Sequence, residues 1–373
     1  MEYNSTVFRQ KKTGDIIAIL IILFFTILAL FRLFPFDNPL KEITDGIDDW
    51  SRYARNALDI KHNGMTIPSI NGNYFSPAGF LYNYFVAFCF YLFGENPIPI
   101  YIIQSILLGF SVALIYWGFR DQMKPLTGIY FLLTLFMFAL LDINIHYTFR
   151  LLSENLTLFT IAVFFYCYNH GVKKNKISLL ITSSIFLGLS IMTRPNILPF
   201  GIVLIGIMLA SSIKYKNIKP LHLLLFVFFL FASTSLLAIR NHFVCGSWTF
   251  FPTEGTSFGI SFFHQTNFSL NLLFKKIMFC LGGLSLLEPA YQWRPHWFIM
   301  WATYFIYLFI RIRENRKFEV REITANVFIF CHYGTLLLIA PILGTYGFRL
   351  FIPCLLIILP FPFIAFDKIK RER

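Results

Sequence analysis

An all-α polytopic membrane protein with about 10–12 transmembrane helices is the fold class this sequence predicts. Three observations predict it. Of the 373 residues, 57% are hydrophobic and only 14% charged, with a mean hydropathy of +0.64, unlike a soluble domain of this length. Apolar runs long enough to cross a bilayer recur along the whole chain. Basic residues gather in alternate loops, the asymmetry that orients membrane helices. In lipid every backbone polar group needs an internal partner, so helices are the expected element.

The first span is expected at Asp15–Leu33, after Arg9, Lys11 and Lys12. It is longer than a signal-peptide core and has no small-residue cleavage site, so it is read as retained. Further spans are expected at Ile100–Phe119, Leu126–Ile145, Leu156–Tyr168, Ile177–Met192 and Ile197–Ile213. Leu221–Ile239, Trp297–Ile310, Ile323–Leu343 and Leu350–Phe366 complete about ten. With a cytoplasmic N-terminus, the inner loops carry Arg120/Lys124, Lys173/Lys174/Lys176, Lys214/Lys216/Lys219, Arg311–Arg321 and the Lys368–Arg373 tail. The net charge of +13 is then a topology signal, and no nucleic acid is expected as a partner. Ala78–Phe93 and Leu270–Leu287 would break the alternation if they spanned. They are expected to lie along the outer interface, the second because of Lys275 and Lys276. The expected organisation is one transmembrane domain over 1–373, with outer loops at 36–99 and 240–269 and no soluble C-terminal domain. The six cysteines form no C-x-x-C pair and the eight histidines no H-E-x-x-H, which argues against thiol redox and zinc chemistry.

Polar residues that could do chemistry cluster in the outer loops. On a helix Asp45, Asp48 and Asp49 share a face. Arg52 can pair with Asp48 or Asp49 and keep one carboxylate ionised, which suits a general base acting on a hydroxyl. A solvated helix start, complementing the helix dipole, fits the same residues. Glu154 stands at a membrane boundary, where ionisable side chains tend to be functional. The alternative is a helix-start carboxylate with Ser153 as its cap. Solitary outer arginines include Arg150, Arg194 in Thr193-Arg194-Pro195, Arg240, and Arg349 four residues before Pro353. Each suits either snorkelling or the binding of a phosphate, whose oxygens a guanidinium matches in pairs.

The order of these features resembles the GT-C superfamily of membrane glycosyltransferases, most closely the bacterial branch related to protein O-mannosyltransferases and lipid A aminoarabinose transferases. The matching positions are Asp49, Tyr53 and Ala57 at four-residue steps, then Pro77–Gly94 ending in Leu92-Phe93-Gly94. Glu154, Thr193-Arg194-Pro195, Arg240/Asn241 with Gly246, and Arg349 with Pro353 follow. One departure is Trp50, where the family often has a second acidic residue; Asp48 precedes instead. The resemblance implies inverting transfer of a sugar from a polyprenyl-phosphate donor. The acceptor is a hydroxyl of a glycan, lipid or protein, on the outer face of a bacterial inner membrane. It implies Asp49 as base, with Asp48 as its competitor, and Glu154 as an orienting acid. Arg194, Arg240, Arg349 and Arg52 would bind the donor phosphate, and Tyr53 and Asn241 the substrate. Two carboxylates would also suit Mg²⁺ or Mn²⁺, but no cofactor is expected. A lipid-linked glycan flippase, or a polymerase using a lipid-diphosphate donor, would need similar arginines. Nearly charge-free spans with acids at the rim favour an enzyme over a transporter.

Overall fold

The structure is a computed structural model and describes residues 2–33, 44, 49–64, 80–214, 218–245, 248, 274, 277, 295–313, 318–339 and 348–369. Among them there is no strand. The helices are α1 (Glu2–Leu33), α2 (Asp49–Asn63), α3 (Phe80–Phe93), α4 (Ile98–Phe119), α5 (Pro125–Phe138), α6 (Glu154–Lys174) and α7 (Ile177–Thr193). Then come α8 (Leu198–Lys214), α9 (Pro220–Cys245), α10 (Pro295–Arg313), α11 (Val320–Ile339), α12 (Phe348–Ile358) and α13 (Pro360–Ile369). Every expected span falls on a helix or a helix pair over its described residues, Ile323–Leu343 as far as Ile339. Five stretches, Gln10–Arg32, Ile98–Gln122, Pro125–Ile143, Pro195–Ile213 and Pro220–Phe243, are long and apolar enough to cross a bilayer on their own. Bulky apolar side chains such as Phe31, Leu224, Phe228 and Phe309 stand exposed, as lipid contact requires.

The helix ends follow local chemistry. Prolines sit in the first turns of α4 and α5, where the missing N–H is no loss. Asn175, left-handed at φ 50°, closes α6 and turns the chain into α7. With 14 residues, α3 is about 21 Å long, too short to cross about 30 Å of hydrocarbon. The second interfacial stretch, Leu270–Leu287, lies outside the described residues apart from Phe274 and Ile277.

Two expected spans are more complex than single helices. Leu126–Ile145 is α-helical only to Phe138, and Ala139–Thr148 continues as a π-helix. Leu350–Phe366 is two helices, because Pro360 has no N–H to offer and its ring clashes with the preceding turn.

Helix α6 is the centre of the bundle. It is buried along most of its length and packs against α4, α7, α11 and α12. Phe328 of α11 meets Phe165 of α6 and Phe200 of α8 edge-on, with Phe200 and Phe328 centroids 5.0 Å apart. Small residues let backbones close up without a hydrophobic drive between helices. A β-carbon on Gly109 of α4 would lie 2.9 Å from the Ile22 Cα of α1.

At the end of the bundle that holds the basic loops, carboxylates tie elements together. Lys173 donates to Asp121 at 2.6 Å. Asp15 pairs with Arg120 and accepts from the Trp117 indole at 2.8 Å. Asp367 accepts from the Lys124 N–H and, at 2.7 Å, from the Thr127 hydroxyl, so it caps α5. Glu322 pairs with Arg311 at 2.5 Å and accepts from Tyr307 at 3.2 Å.

Candidate active site

The site lies at the opposite end, where α6 begins and α7 ends. Helix α2 is amphipathic. It buries Ser51, Tyr53, Ala54, Asn56, Ala57 and Ile60, and exposes Arg55 and His62. The Tyr53/Ala57 stripe singled out in the sequence is therefore the packed face. It lies on α3, with the Tyr53 ring edge-on to Tyr82 at 4.9 Å and Asn56 Nδ2 3.5 Å from Asn83 Oδ1. From there a buried polar relay runs to the start of α6. Tyr82 donates to Gln104 Oε1 at 2.6 Å. Gln104 Nε2 donates to the carbonyls of Thr148 (2.8 Å) and Arg150 (2.9 Å). Asn155 Nδ2 donates to Thr148 Oγ1 at 3.0 Å. Buried amides with such partners fix a segment in place.

The Tyr53 hydroxyl donates to Ser153 Oγ at 3.5 Å. Ser153 occupies the N-cap position of α6, yet its side chain makes no capping bond. The capping alternative thus gives way to a contact with α2. Asp49 is the first residue of α2, one turn before Tyr53, so its backbone stands at this end of the bundle. The side chains of Asp49 and Arg349, and all of Asp45, Asp48 and Gly246, lie outside the described residues.

Glu154 is buried and paired with Arg194 at 2.5 Å. Their side chains are 2% and 13% exposed, so the pair is largely withdrawn from water. It lines a small cleft together with Thr157, Asn196, His332 and Pro353. Asn196 Nδ2 lies 3.4 Å from His332 Nδ1. His332 is 1% exposed and stacks on Phe328. The site was expected to use Arg194 on a phosphate; here the guanidinium answers Glu154. Pro353 places Arg349 one turn earlier on α12.

Arg240 and Asn241 lie in the last turns of α9, both buried. Arg240 donates to Asn241 Oδ1 at 2.9 Å and to the Tyr84 hydroxyl of α3 at 3.4 Å. Tyr84 packs beside Met192 and Leu237, two residues from Arg194. Arg52 is half-buried on α2. At the other end of α2, Glu95 accepts from Lys61 at 2.7 Å and lies 2.9 Å from His62 Nε2. The Lys61 hydrogen bond holds the Glu95 carboxyl below its ordinary range.

Sequence reasoning gave no role to four residues. Asn196 and His332 line the cleft. Asp142, 4% exposed in the π-helix, lies 2.8 Å from His296 Nε2 and accepts from the Trp297 indole at 3.3 Å. Trp50 packs its ring 5.3 Å from the Arg150 guanidinium carbon. The signal for His332 was an ionisable residue inside a span; a search for metal spacing passed over it. Among the described residues, no three metal-ligating side chains converge.

Residues 77–237, from before α3 into α9 and including Glu154 and Arg194, match the family model described as dolichyl-phosphate-mannose-protein mannosyltransferase. No curated protein matches the chain. Among solved structures it is similar to the crystal structure of ArnT from Cupriavidus metallidurans bound to undecaprenyl phosphate, with a TM-score of 0.51 and 12% identity. That likeness covers 86% of this chain and 56% of the other, so the chain spans little more than half of that protein's length. This is an integral membrane protein with a fold similar to that of the matched ArnT structure.

Proposed function

We propose that the chain transfers a sugar, with inversion, from a polyprenyl-phosphate donor to a hydroxyl on a glycan, lipid or protein acceptor. The reaction takes place on the non-cytoplasmic face of a bacterial inner membrane. The observation that carries this reading is the convergence at one end of the bundle. There the helix opened by Asp49 packs through Tyr53 onto Ser153, beside the buried Glu154–Arg194 pair. That end lies opposite the basic loops, which supports the outer face. The matched ArnT structure holds undecaprenyl phosphate, which supports a lipid-phosphate donor.

In this mechanism the Asp49 carboxylate takes the proton of the acceptor hydroxyl as its oxygen attacks the anomeric carbon. The bond from that carbon to the phosphate oxygen breaks, and its electron pair leaves on polyprenyl phosphate. Arg194, Arg349, Arg240 and Arg52 are the arginines assigned to that anion. Glu154 holds Arg194 and orients bound substrate, with Tyr53 and Asn241 contacting it. No cofactor is assigned, and transfer measured with and without EDTA tests for a divalent cation, Mg²⁺ or Mn²⁺, between carboxylates.

The test is Asp49→Asn in purified protein given a labelled polyprenyl-phosphate sugar. Transfer is abolished while yield and membrane insertion are unchanged. Full transfer by Asp49→Asn together with loss in Asp48→Asn would move the base to Asp48. Activity in both variants would remove this loop from the chemistry.

A further inference from the structure

We infer that Arg150 is a further ligand of the donor phosphate, held ready by Trp50; this rests on the reading above of a polyprenyl-phosphate donor. The Arg150 backbone is pinned, because its carbonyl accepts from Gln104 Nε2 at 2.9 Å and Gln104 is fully buried. Its side chain is exposed and lies over the Trp50 ring, 5.3 Å from the centroid. It forms no ion pair with any described residue. A fixed backbone that carries an exposed guanidinium, with no ion-pair partner among the described residues, suits an incoming anion.

Position points to which anion. Trp50 directly follows Asp49, and Arg150 precedes Glu154 by four residues in the segment that Tyr53 touches through Ser153. The guanidinium therefore lies beside the first turn of α2. Trp50 also explains how the charge survives there. A carboxylate at position 50 would pair with Arg150 and cancel it, whereas an indole face orients the cation and leaves its charge intact. An exposed cation–π contact is weak and readily exchanged for the paired, charge-assisted hydrogen bonds of a phosphate. Arg194 pairs with Glu154, and Arg150 adds an exposed arginine to those assigned to the lipid anion at this end of the bundle.

The experiment measures binding of undecaprenyl phosphate and of undecaprenol, the same lipid without phosphate, to the full chain in nanodiscs. Wild type prefers the phosphate lipid. Arg150→Ala lowers that preference by about tenfold or more, as expected for losing a charge-assisted hydrogen bond. Arg150→Lys restores part of it, Trp50→Phe keeps it, and Trp50→Glu lowers it by cancelling the charge. If Arg150→Ala weakens both lipids equally, or neither, Arg150 is structural or irrelevant and the inference fails while the donor reading stands. If wild type itself shows no preference, the donor reading fails first.

Discussion

The two ends of the bundle treat buried carboxylates differently. At the basic end Glu322, 1% exposed, is enclosed by donors from nearby in sequence: Arg311, the Tyr307 hydroxyl and the Glu319 N–H. Asp367 is spent on the first turn of α5. At the opposite end Glu154 is equally buried, but its arginine comes from 40 residues away, and the pair faces a cleft shared with Asn196 and His332. A carboxylate enclosed by local donors fixes a turn. One that is paired across helices at a cleft holds an oriented charge where a ligand can reach it.

The largest effect expected from this contrast is on catalysis. Glu154→Gln or Arg194→Ala lowers transfer per folded molecule by about a hundredfold or more, the scale of losing a preorganised charge in a dry site. Glu322→Gln leaves transfer per folded molecule unchanged. Activity should be normalised to the monodisperse fraction, so that misfolding is not counted. Equal losses from Glu322→Gln and Glu154→Gln would erase the functional distinction between the ends.

The next effect is on stability, and there the basic end responds. Glu322→Gln strips the partner from a buried guanidinium and destabilises the fold by about 3–5 kcal/mol. Asp15→Asn breaks a pair whose side chains are 29% and 39% exposed, and it costs less than about 1 kcal/mol. Thermal unfolding in detergent orders the two variants. A larger loss for Asp15→Asn would mean that burial does not set the strength of these ties.

This contrast also marks what the sequence revealed. Spans were readable because lipid forces an unbroken apolar run and the basic loops set its direction. The π-helix was not readable, because its winding goes with Asp142 meeting His296 and Trp297 more than 150 residues away. Pro360 did signal the break in the last span, but the apolar run on both sides hid it. In the site Tyr53, Glu154 and Arg194 were legible, each as a polar residue at an outer rim. Their pairing was not, because an arginine expected to meet phosphate has no local cue that a glutamate lies opposite. Trp50 read as a departure from the family pattern, and its contact with Arg150 appears only when the loop before α6 folds back.

The smallest effect tests whether α2 is merely docked or is held by charge at its far end. Glu95 carries a lowered pKa, first from the Lys61 hydrogen bond and then from nearby positive charge, with burial opposing. A carboxyl depressed in the folded state contributes stability that is present above its unfolded value, ordinarily 4.5, and is lost as pH falls through the folded one. The stability difference between wild type and Glu95→Gln is therefore present above about pH 5 and shrinks toward zero as pH falls below that. With Glu95 38% exposed, solvent screening keeps the difference under about 1 kcal/mol. Unfolding curves of both proteins across this range measure it. A difference that grows on acidification would reverse the sign of the clamp, and α2 would then owe its position to Tyr53, Asn56 and its apolar face alone.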